Sequence, residues 1–343
     1  MVAVNTPGNS TVGQPRPAVI HNDVAAGTLV YADNTPQTLD IPRSEVYRGI
    51  QLDITAQPTA VSGWTAANLG PAELASIIQS LQIMRNGSDA LVTFTGEQIM
   101  LLQNRWYGSK PISNVGTVGT ANPQMSCSVF IPFETPNIRK PFSTMLNSGK
   151  CSSLSLNVQW GNAANALSTA TGWTTLPSVA ISYLKEYWPP TPQGKDTTPI
   201  FWFRRCKPKN AVIPAGAAVD LLVPLNVNTV YHGWFLTGPM MPYCTKIKLV
   251  TGGNVLQTVN MPGKIYTQKI RRNVQPAGWT TTTTNEPSAL WFEAMPDGMI
   301  TQLLNARGIS DLSFLMTFTS ANPGGTLNLV TSEIFGNDSI AGG

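Results

Sequence analysis

Apolar and polar residues alternate with a period of two along most of this 343-residue chain, as in strands that bury one face. Helical spacing is confined to residues 97–107 and to short segments at 71–74, 137–147 and 298–305. About eight strands in each half, regularly spaced and with few helices, predict an all-β fold of the sandwich or jelly-roll type. The alternating segments include residues 38–41, 49–55, 81–84, 90–94, 126–133, 154–158, 179–188, 201–203, 218–223, 231–236, 246–250, 255–259, 290–293, 312–318 and 327–335.

The two halves of the chain carry the same blocks in the same order. The tetrapeptide Val-Tyr-Arg-Gly at 46–49 recurs as Val-Tyr-His-Gly at 230–233. A repeat of this length indicates a duplicated β-domain, with longer loops between the blocks of the first copy. The other matched blocks are residues 81–87 with 247–253, Phe133-Glu134 with Phe292-Glu293, Leu146-Asn147 with Leu304-Asn305, and residues 154–156 with 312–314.

Composition shifts divide the chain into an arm, two barrels, a linker and a tail. The Pro-rich stretch after Trp188 is the clearest linker, and a chain of this length is expected to form two domains. The predicted parts are an extended N-terminal arm over residues 1–35, a first barrel over 36–188, a linker over 189–199, a second barrel over 200–338 and a C-terminal tail over 339–343. Long loops are predicted at 95–124 and 260–288.

Charge and cysteine usage limit the protein class. Charged residues make up only 12% of the chain, and the net charge is +4, too mild to indicate a sequence-specific nucleic-acid partner. So few charges leave a surface poorly protected from association, which suits a protein that packs against copies of itself. No CxxC pair occurs, so Cys127, Cys151, Cys206 and Cys244 are expected to be reduced apolar fillers, although the sequence also leaves a structural disulfide open and cannot pair the cysteines.

Targeting signals are absent from the sequence pattern. The first residues have no basic segment followed by an apolar one, and no apolar run approaches the roughly 20 residues that cross a bilayer. The protein is therefore expected to be made in a cytoplasm and to leave it only by lysis.

Catalytic chemistry finds little support in the residues. The chain has two histidines, His21 and His232, and no triad, metal-ligand spacing or phosphate loop accompanies them. We therefore predict no catalytic residue, no cofactor and no metal, and expect His232 to be a surface residue of a strand. Glu134 and Glu293 are matched acids that could form a carboxylate pair for glycoside hydrolysis, but an acid at a strand end near a helix start more often has a structural role.

The strongest local charge cluster lies at the start of the second half. Arg204, Arg205, Lys207 and Lys209 could meet phosphates of lipid or nucleic acid, or form a solvated loop. A second basic group contains Lys264, Lys269, Arg271 and Arg272.

With its duplication, arm and linker, the chain resembles the double jelly-roll major capsid proteins of tailless icosahedral viruses, the adenovirus and tectivirus lineage. The resemblance covers residues 36–338. It is carried by residues 46–55, by 70–74 leading into 81–84, and by the pattern of a strand followed by a helix at 130–147, which is repeated at 291–305. The two long loops resemble the tower loops of this family, and their modest length implies a low tower.

The resemblance implies two tandem eight-stranded jelly rolls with short flanking helices, and a homotrimer that forms a pseudo-hexagonal capsomer. Such capsomers tile an icosahedral shell together with penton and minor capsid proteins, often over an internal lipid membrane. The expected location is the virion, after synthesis in the host cytoplasm, and the virus is expected to be a bacteriophage. Arg204, Arg205, Lys207 and Lys209 are then candidates for facing lipid headgroups. Deleting residues 1–30 is expected to leave a soluble trimer that fails to assemble.

Two other classes stay open on the sequence. A glycan-binding or glycan-active protein on the same double jelly roll would carry a signal peptide, disulfides and acids clustered on one face. A phage tail or receptor-binding protein would show fibrous repeats or an elongated stalk.

Overall fold

A computed structural model gives the fold of residues 22–43, 46–59, 73–107, 112–114, 124–135, 144–162, 172–186, 202–216, 220–260, 289–294 and 303–336. The strands of the first half are β1 (Asn22–Val30), β2 (Pro36–Asp40), β3 (Val46–Thr59), β4 (Ile78–Arg85), β5 (Asp89–Phe94), β6 (Ile112–Asn114), β7 (Met125–Pro132), β8 (Leu146–Asn147), β9 (Leu154–Trp160) and β10 (Gly172–Glu186). Those of the second half are β11 (Trp202–Ile213), β12 (Asp220–Pro224), β13 (Val230–Thr237), β14 (Cys244–Thr251), β15 (Asn254–Asn260), β16 (Ala289–Glu293), β17 (Leu304–Asn305), β18 (Ser313–Phe318) and β19 (Gly325–Gly336). Within the described ranges there is one α-helix, α1 (Gly96–Tyr107), and 3-10 turns cover Glu73–Ile77, Ser148–Lys150 and Met241–Tyr243.

Each half of the chain folds into two facing sheets with one shared strand order. The first barrel has the orders β1-β10-β3-β7-β6 and β5-β4-β9-β2, and the second has β11-β19-β13-β16 and β15-β14-β18-β12. The short strands β8 and β17 add to β3 and β13 respectively. Apart from β6, every described strand of one barrel therefore has a counterpart in the other, and the double jelly roll predicted from the sequence is confirmed.

The matched tetrapeptides occupy the same place in both barrels. Tyr47 pairs with Leu146 across β3 and β8, and Tyr231 pairs with Leu304 across β13 and β17. Both tyrosines are fully buried, and each hydroxyl donates a hydrogen bond to the backbone carbonyl five residues upstream. A buried phenol usually needs a partner for its O–H, and the same local bond supplies it twice.

The hairpin blocks also correspond residue by residue. Asn86 and Gly87 take φ values of 55° and 77° between β4 and β5, and Gly252 and Gly253 take 53° and 78° between β14 and β15. Left-handed φ at both central positions suits a tight hairpin, and Asn and Gly adopt it most readily.

One matched block was aligned incorrectly from the sequence. Gly49 lies opposite Pro132, whereas Gly233 lies opposite Glu293, so Phe133-Glu134 and Phe292-Glu293 are out of register by two residues. The equivalent aromatic residues are Phe130 and Trp291, whose rings cross so close to the matched glycines that a Cβ there would lie 2.4 Å and 2.7 Å from a ring carbon. Side chains in a strand alternate with a period of two, so shifting an alignment of two strands by two residues leaves every side chain on the same face.

Side chains alternating inward from both sheets fill each barrel. In the second barrel the rings of Trp234, Phe292 and Phe314 meet edge to face, with centroids 5.2–5.8 Å apart. The first barrel's core also contains α1. The helix begins with a capping box, because the Thr95 hydroxyl accepts from the Gln98 amide and the Gln98 side chain accepts from the Thr95 amide. Its buried apolar residues include Ile99, Met100 and Leu102.

Several predicted boundaries differ from the structure. The arm predicted over residues 1–35 includes β1, which pairs with β10 along the edge of the first barrel, so the proposed 1–30 deletion would remove a strand. The helical spacing at 97–107 is confirmed by α1, whereas the rest of the loop predicted at 95–124 also contains the short strand β6. Of the helices predicted at 137–147 and 298–305, residues 137–143 and 298–302 lie outside the described residues, and the ends that are described include β8 and β17, which extend the sheets beside β3 and β13. Residues 1–21, the linker at 189–199, the predicted loop from residue 261 to 288 and the tail at 339–343 lie outside the described residues.

Candidate interaction site

The two barrels join where an edge strand of one meets an edge strand of the other. Cys206 on β11 bridges in parallel to Val92 on β5, which makes one nine-stranded sheet of strands from both barrels. We call this contact the intrachain joint. Sheet edges present unpaired backbone groups, and pairing two of them removes that exposure.

A shared carboxylate reinforces the intrachain joint. Asp89, at the start of β5, accepts a hydrogen bond from Arg205 of β11 at 2.6 Å and another from Arg85 of its own hairpin. Arg205 also lies over the Phe335 ring, with its guanidinium carbon 4.5 Å from the ring centroid. One carboxylate thus holds guanidinium groups from both barrels at a partly buried position, where charged hydrogen bonds are comparatively strong.

The outer face of the second barrel is apolar where the first barrel covers it. Cys206, Phe235, Trp291 and Val330 belong to the same hydrophobic cluster as the core of the first barrel. A face pointing away from its own barrel would ordinarily be polar. Its burial here shows that the joint is a hydrophobic contact as well as an ion pair.

His232 lies in this covered face, contrary to the surface position expected from the sequence. It is buried, its Nδ1 is 3.2 Å from the Ser332 hydroxyl oxygen, and its ring is 5.2 Å from that of Trp291. Burial, and then the nearby Arg204 charge, lowers the pKa of His232 to about 3. A neutral imidazole of this kind contributes packing to the joint rather than charge.

The predicted basic cluster divides between the two sides of β11. Arg204 is buried and donates a hydrogen bond to the Pro132 carbonyl of the first barrel. Arg205 pairs with Asp89, as described above. Lys207 and Lys209 are half-buried and follow Arg205 at alternate positions, so these three share one side of the strand. Two of the four predicted residues therefore bind the barrels together. The second basic group, at 264–272, lies outside the described residues.

The matched acids and the four cysteines were also singled out in the sequence. The Glu134 carboxylate pairs with Arg48 at 2.7 Å, and the Glu293 side chain is outside the described part. All four cysteines are free and buried, as predicted, and burial raises the pKa of Cys244 to about 12. Within the described ranges, no group of three or more metal-ligating side chains occurs, and no helix has the length and apolarity to cross a membrane.

The sequence missed the intrachain joint because its partners are far apart along the chain. Asp89 and Arg205 are 116 residues apart, and neither has a local motif. The one available signal was an apolar outer face: Phe235 and Val330 replace polar residues found at the matched positions Gln51 and Ser182 of the first copy.

Solved structures of viral capsid proteins share this architecture. The chain superimposes on the major capsid protein P2 of bacteriophage PM2 with a TM-score of 0.62 at 10% identity, covering 92% of this chain and 98% of that one. It superimposes on the STIV MCP, from Sulfolobus turreted icosahedral virus, with a TM-score of 0.68 at 12% identity, covering 92% and 97%. PBCV-1 VP54 matches with a TM-score of 0.63 at 10% identity, covering 95% and 96%.

Sequence comparison adds nothing to this, because no family model and no curated protein matches the chain. At 10–12% identity the structural likeness establishes the shared fold. It extends over nearly the whole of both chains, so it includes both barrels.

Proposed function

We propose that this protein is a viral major capsid protein with a structural rather than an enzymatic role. The observation that carries the proposal is the pair of matched barrels, joined edge to edge, in an arrangement that spans nearly the full length of known capsid proteins. Duplication lets one chain present the same kind of surface twice.

The expected assembly is a homotrimer that acts as a pseudo-hexagonal capsomer. Three chains supply six barrels, and closed point symmetry satisfies every joining surface without leaving an open end. Capsomers of this shape can tile an icosahedral shell, with penton and minor capsid proteins completing it. The protein then resides in the virion, after synthesis in the host cytoplasm, and the resemblance suggests a bacteriophage.

The low charge content supports this role. Flat lateral faces with few charges can pack closely, because burying an unpaired charge costs several kcal/mol. Charged residues are only 12% of the chain, about half the usual share of a soluble domain.

Contact with an internal membrane is a finer part of the proposal. Arg204 and Arg205 are engaged at the intrachain joint, so headgroup contact is assigned to Lys207 and Lys209. A juxtamembrane lysine contributes about 1 kcal/mol toward an anionic surface. Flotation with vesicles of phosphatidylglycerol and phosphatidylcholine tests this. The double change Lys207→Gln with Lys209→Gln should reduce binding, whereas Lys246→Gln with Lys248→Gln on β14 should not. Equal binding by both variants would remove lipid contact from these residues.

The capsomer itself is tested by light scattering and negative-stain microscopy of the purified protein. The proposal predicts hexagonal particles with the mass of three chains. A monomer at all concentrations would refute it and would favour the glycan-binding alternative.

A further inference from the structure

The duplication allows one edge strand to be compared with its own counterpart. β5 pairs with β4 as β15 pairs with β14, and each pair contains a register shift at the same point, after Ile83 in the first barrel and after Leu249 in the second. The extra residue at that shift is Leu91 in β5 and Leu256 in β15. Leu91 and Leu256 are therefore the same residue type at the same bulge of equivalent strands.

Their surroundings differ. Leu91 is 1% exposed and belongs to the cluster that includes Phe235 and Trp291 of the second barrel. Leu256 is 46% exposed, and its neighbour Val255 is 52% exposed. Adjacent apolar residues on an exposed sheet edge invite association, and proteins usually protect such edges with charge or cover. Among the described residues no strand pairs with the outer edge of β15.

The strand that covers β5 also has a counterpart. Cys206 of β11 lies opposite Ser332, which lies opposite Gly233. In the first barrel, position 23 of β1 lies opposite Leu184, which lies opposite Gly49, the glycine matched to Gly233. β1 is therefore the counterpart of β11, and it too ends its sheet with no further described strand beside it.

We propose that β15 of one copy docks against β1 of a second copy and reproduces the intrachain joint between molecules. The occupant of the Val255–Leu256 edge is thus another copy of this chain, because the molecule already contains the complete pattern of that contact once. The contact is head to tail, and repetition closes a ring when its rotation allows. This inference rests on the proposed capsomer and specifies the surface that would build it.

The intermolecular joint is expected to be more polar than the intrachain one. The positions matched to Arg205 and Asp89 are Asn22 on β1 and Asn254 on β15, so the ion pair has no charged equivalent. The positions matched to Phe235 and Val330 are Gln51 and Ser182, and Gln51 donates to Asp53 at 3.0 Å. A polar face of this kind stays soluble before it is covered, unlike the permanently covered face of the second barrel.

The test is the mass of Leu256→Glu by light scattering, compared with wild type and with Leu222→Glu. Leu222 is a matched control, because it is 57% exposed on β12, at the opposite edge of the same sheet. Leu256→Glu should dissociate to monomer at concentrations where wild type and Leu222→Glu remain assembled. The protein concentration at which half of the chains are associated should rise by a factor of about ten or more.

A second measurement does not depend on dissociation. Strand partners that bridge lie close enough for a disulfide, whose Cα atoms are usually about 4.4–6.8 Å apart. Asp23→Cys protein mixed with Gln257→Cys protein should give a disulfide-linked dimer under oxidation, whereas neither variant alone should. The native cysteines are buried and should not compete.

The outcomes separate the two proposals. A monomeric wild type would overturn the capsomer and this interface together. An assembled wild type, with an assembled Leu256→Glu variant and no mixed disulfide, would overturn the β15–β1 contact and leave the capsomer standing.

Discussion

The carboxylate of Asp89 offers the sharpest test of how the two barrels are held together. Asp89→Asn keeps the size of the side chain and removes its charge, so Arg85 and Arg205 lose their shared anion. The side chains of Arg85, Arg205 and Asp89 are 5%, 18% and 21% exposed, which places the cluster between a surface pair and a buried one.

The expected magnitude follows from that burial. An exposed ion pair contributes up to about 1 kcal/mol. Removing one partner of a fully buried pair costs about 3–5 kcal/mol, because the remaining charge is left desolvated. For a partly buried carboxylate that serves two guanidinium groups, we expect Asp89→Asn to lower the free energy of unfolding by about 2–4 kcal/mol.

The assay is urea denaturation followed by tryptophan fluorescence, at a concentration where light scattering gives wild type and variants the same mass. Asp220→Asn is the control, because Asp220 is exposed and accepts a hydrogen bond from Thr317. It should change stability by less than about 1 kcal/mol. A double-mutant cycle of Asp89→Asn with Arg205→Gln isolates the part between the barrels and should show coupling of about 1 kcal/mol or more. An Asp89→Asn effect no larger than that of the control would refute the role of this cluster.

Three further predictions concern packing, pH and thiols. Gly233→Ala should destabilise by about 1–3 kcal/mol in the same assay, since its Cβ would lie 2.7 Å from the Phe292 carbonyl oxygen, and no loss would contradict that close approach. The fold buries His232 as the neutral imidazole and lowers its pKa to about 3, so protonation of this residue does not reduce stability above about pH 6.5. Below that pH the unfolded chain binds a proton at His232 that the native state does not, so the free energy of unfolding falls by about 1.4 kcal/mol per pH unit. His232→Gln should therefore flatten the plot of stability against pH between about pH 4.5 and 6, and an unchanged slope would contradict this account. With its four thiols buried and the pKa of Cys244 raised to about 12, the native protein should react slowly with Ellman's reagent at pH 8 and release four thiols in urea, and rapid native reaction would contradict the burial.

Much of the fold could be predicted from the sequence because strand alternation and turn residues are local signals. Asn86-Gly87 marked a hairpin, and Gly252-Gly253 marked its copy, since few residues adopt left-handed φ. The repeated Val-Tyr pair located β3 and β13. In both strands the tyrosine makes the same local hydrogen bond, so the same residue serves the same position in each copy.

The joint and the barrel edges could not be predicted in this way. A basic run such as Arg204–Lys209 has the same composition whether it is solvated or docked, and the positions of Asp89 and of the Pro132 carbonyl in the fold decide between the two. Similarly, Leu91 and Leu256 have matching local contexts, and their different burial arises from the second barrel covering one of them. Strand β1 was assigned to an arm because its pairing with β10 depends on residues about 150 to 160 positions away.

The central claim is that this chain builds capsomers, and it is tested most directly by the mass and shape of the purified protein. The account predicts, in light scattering with negative-stain microscopy, hexagonal particles of three times the chain mass of 36.9 kDa. A uniform monomer with no hexagonal particles, at every concentration measured, would contradict it.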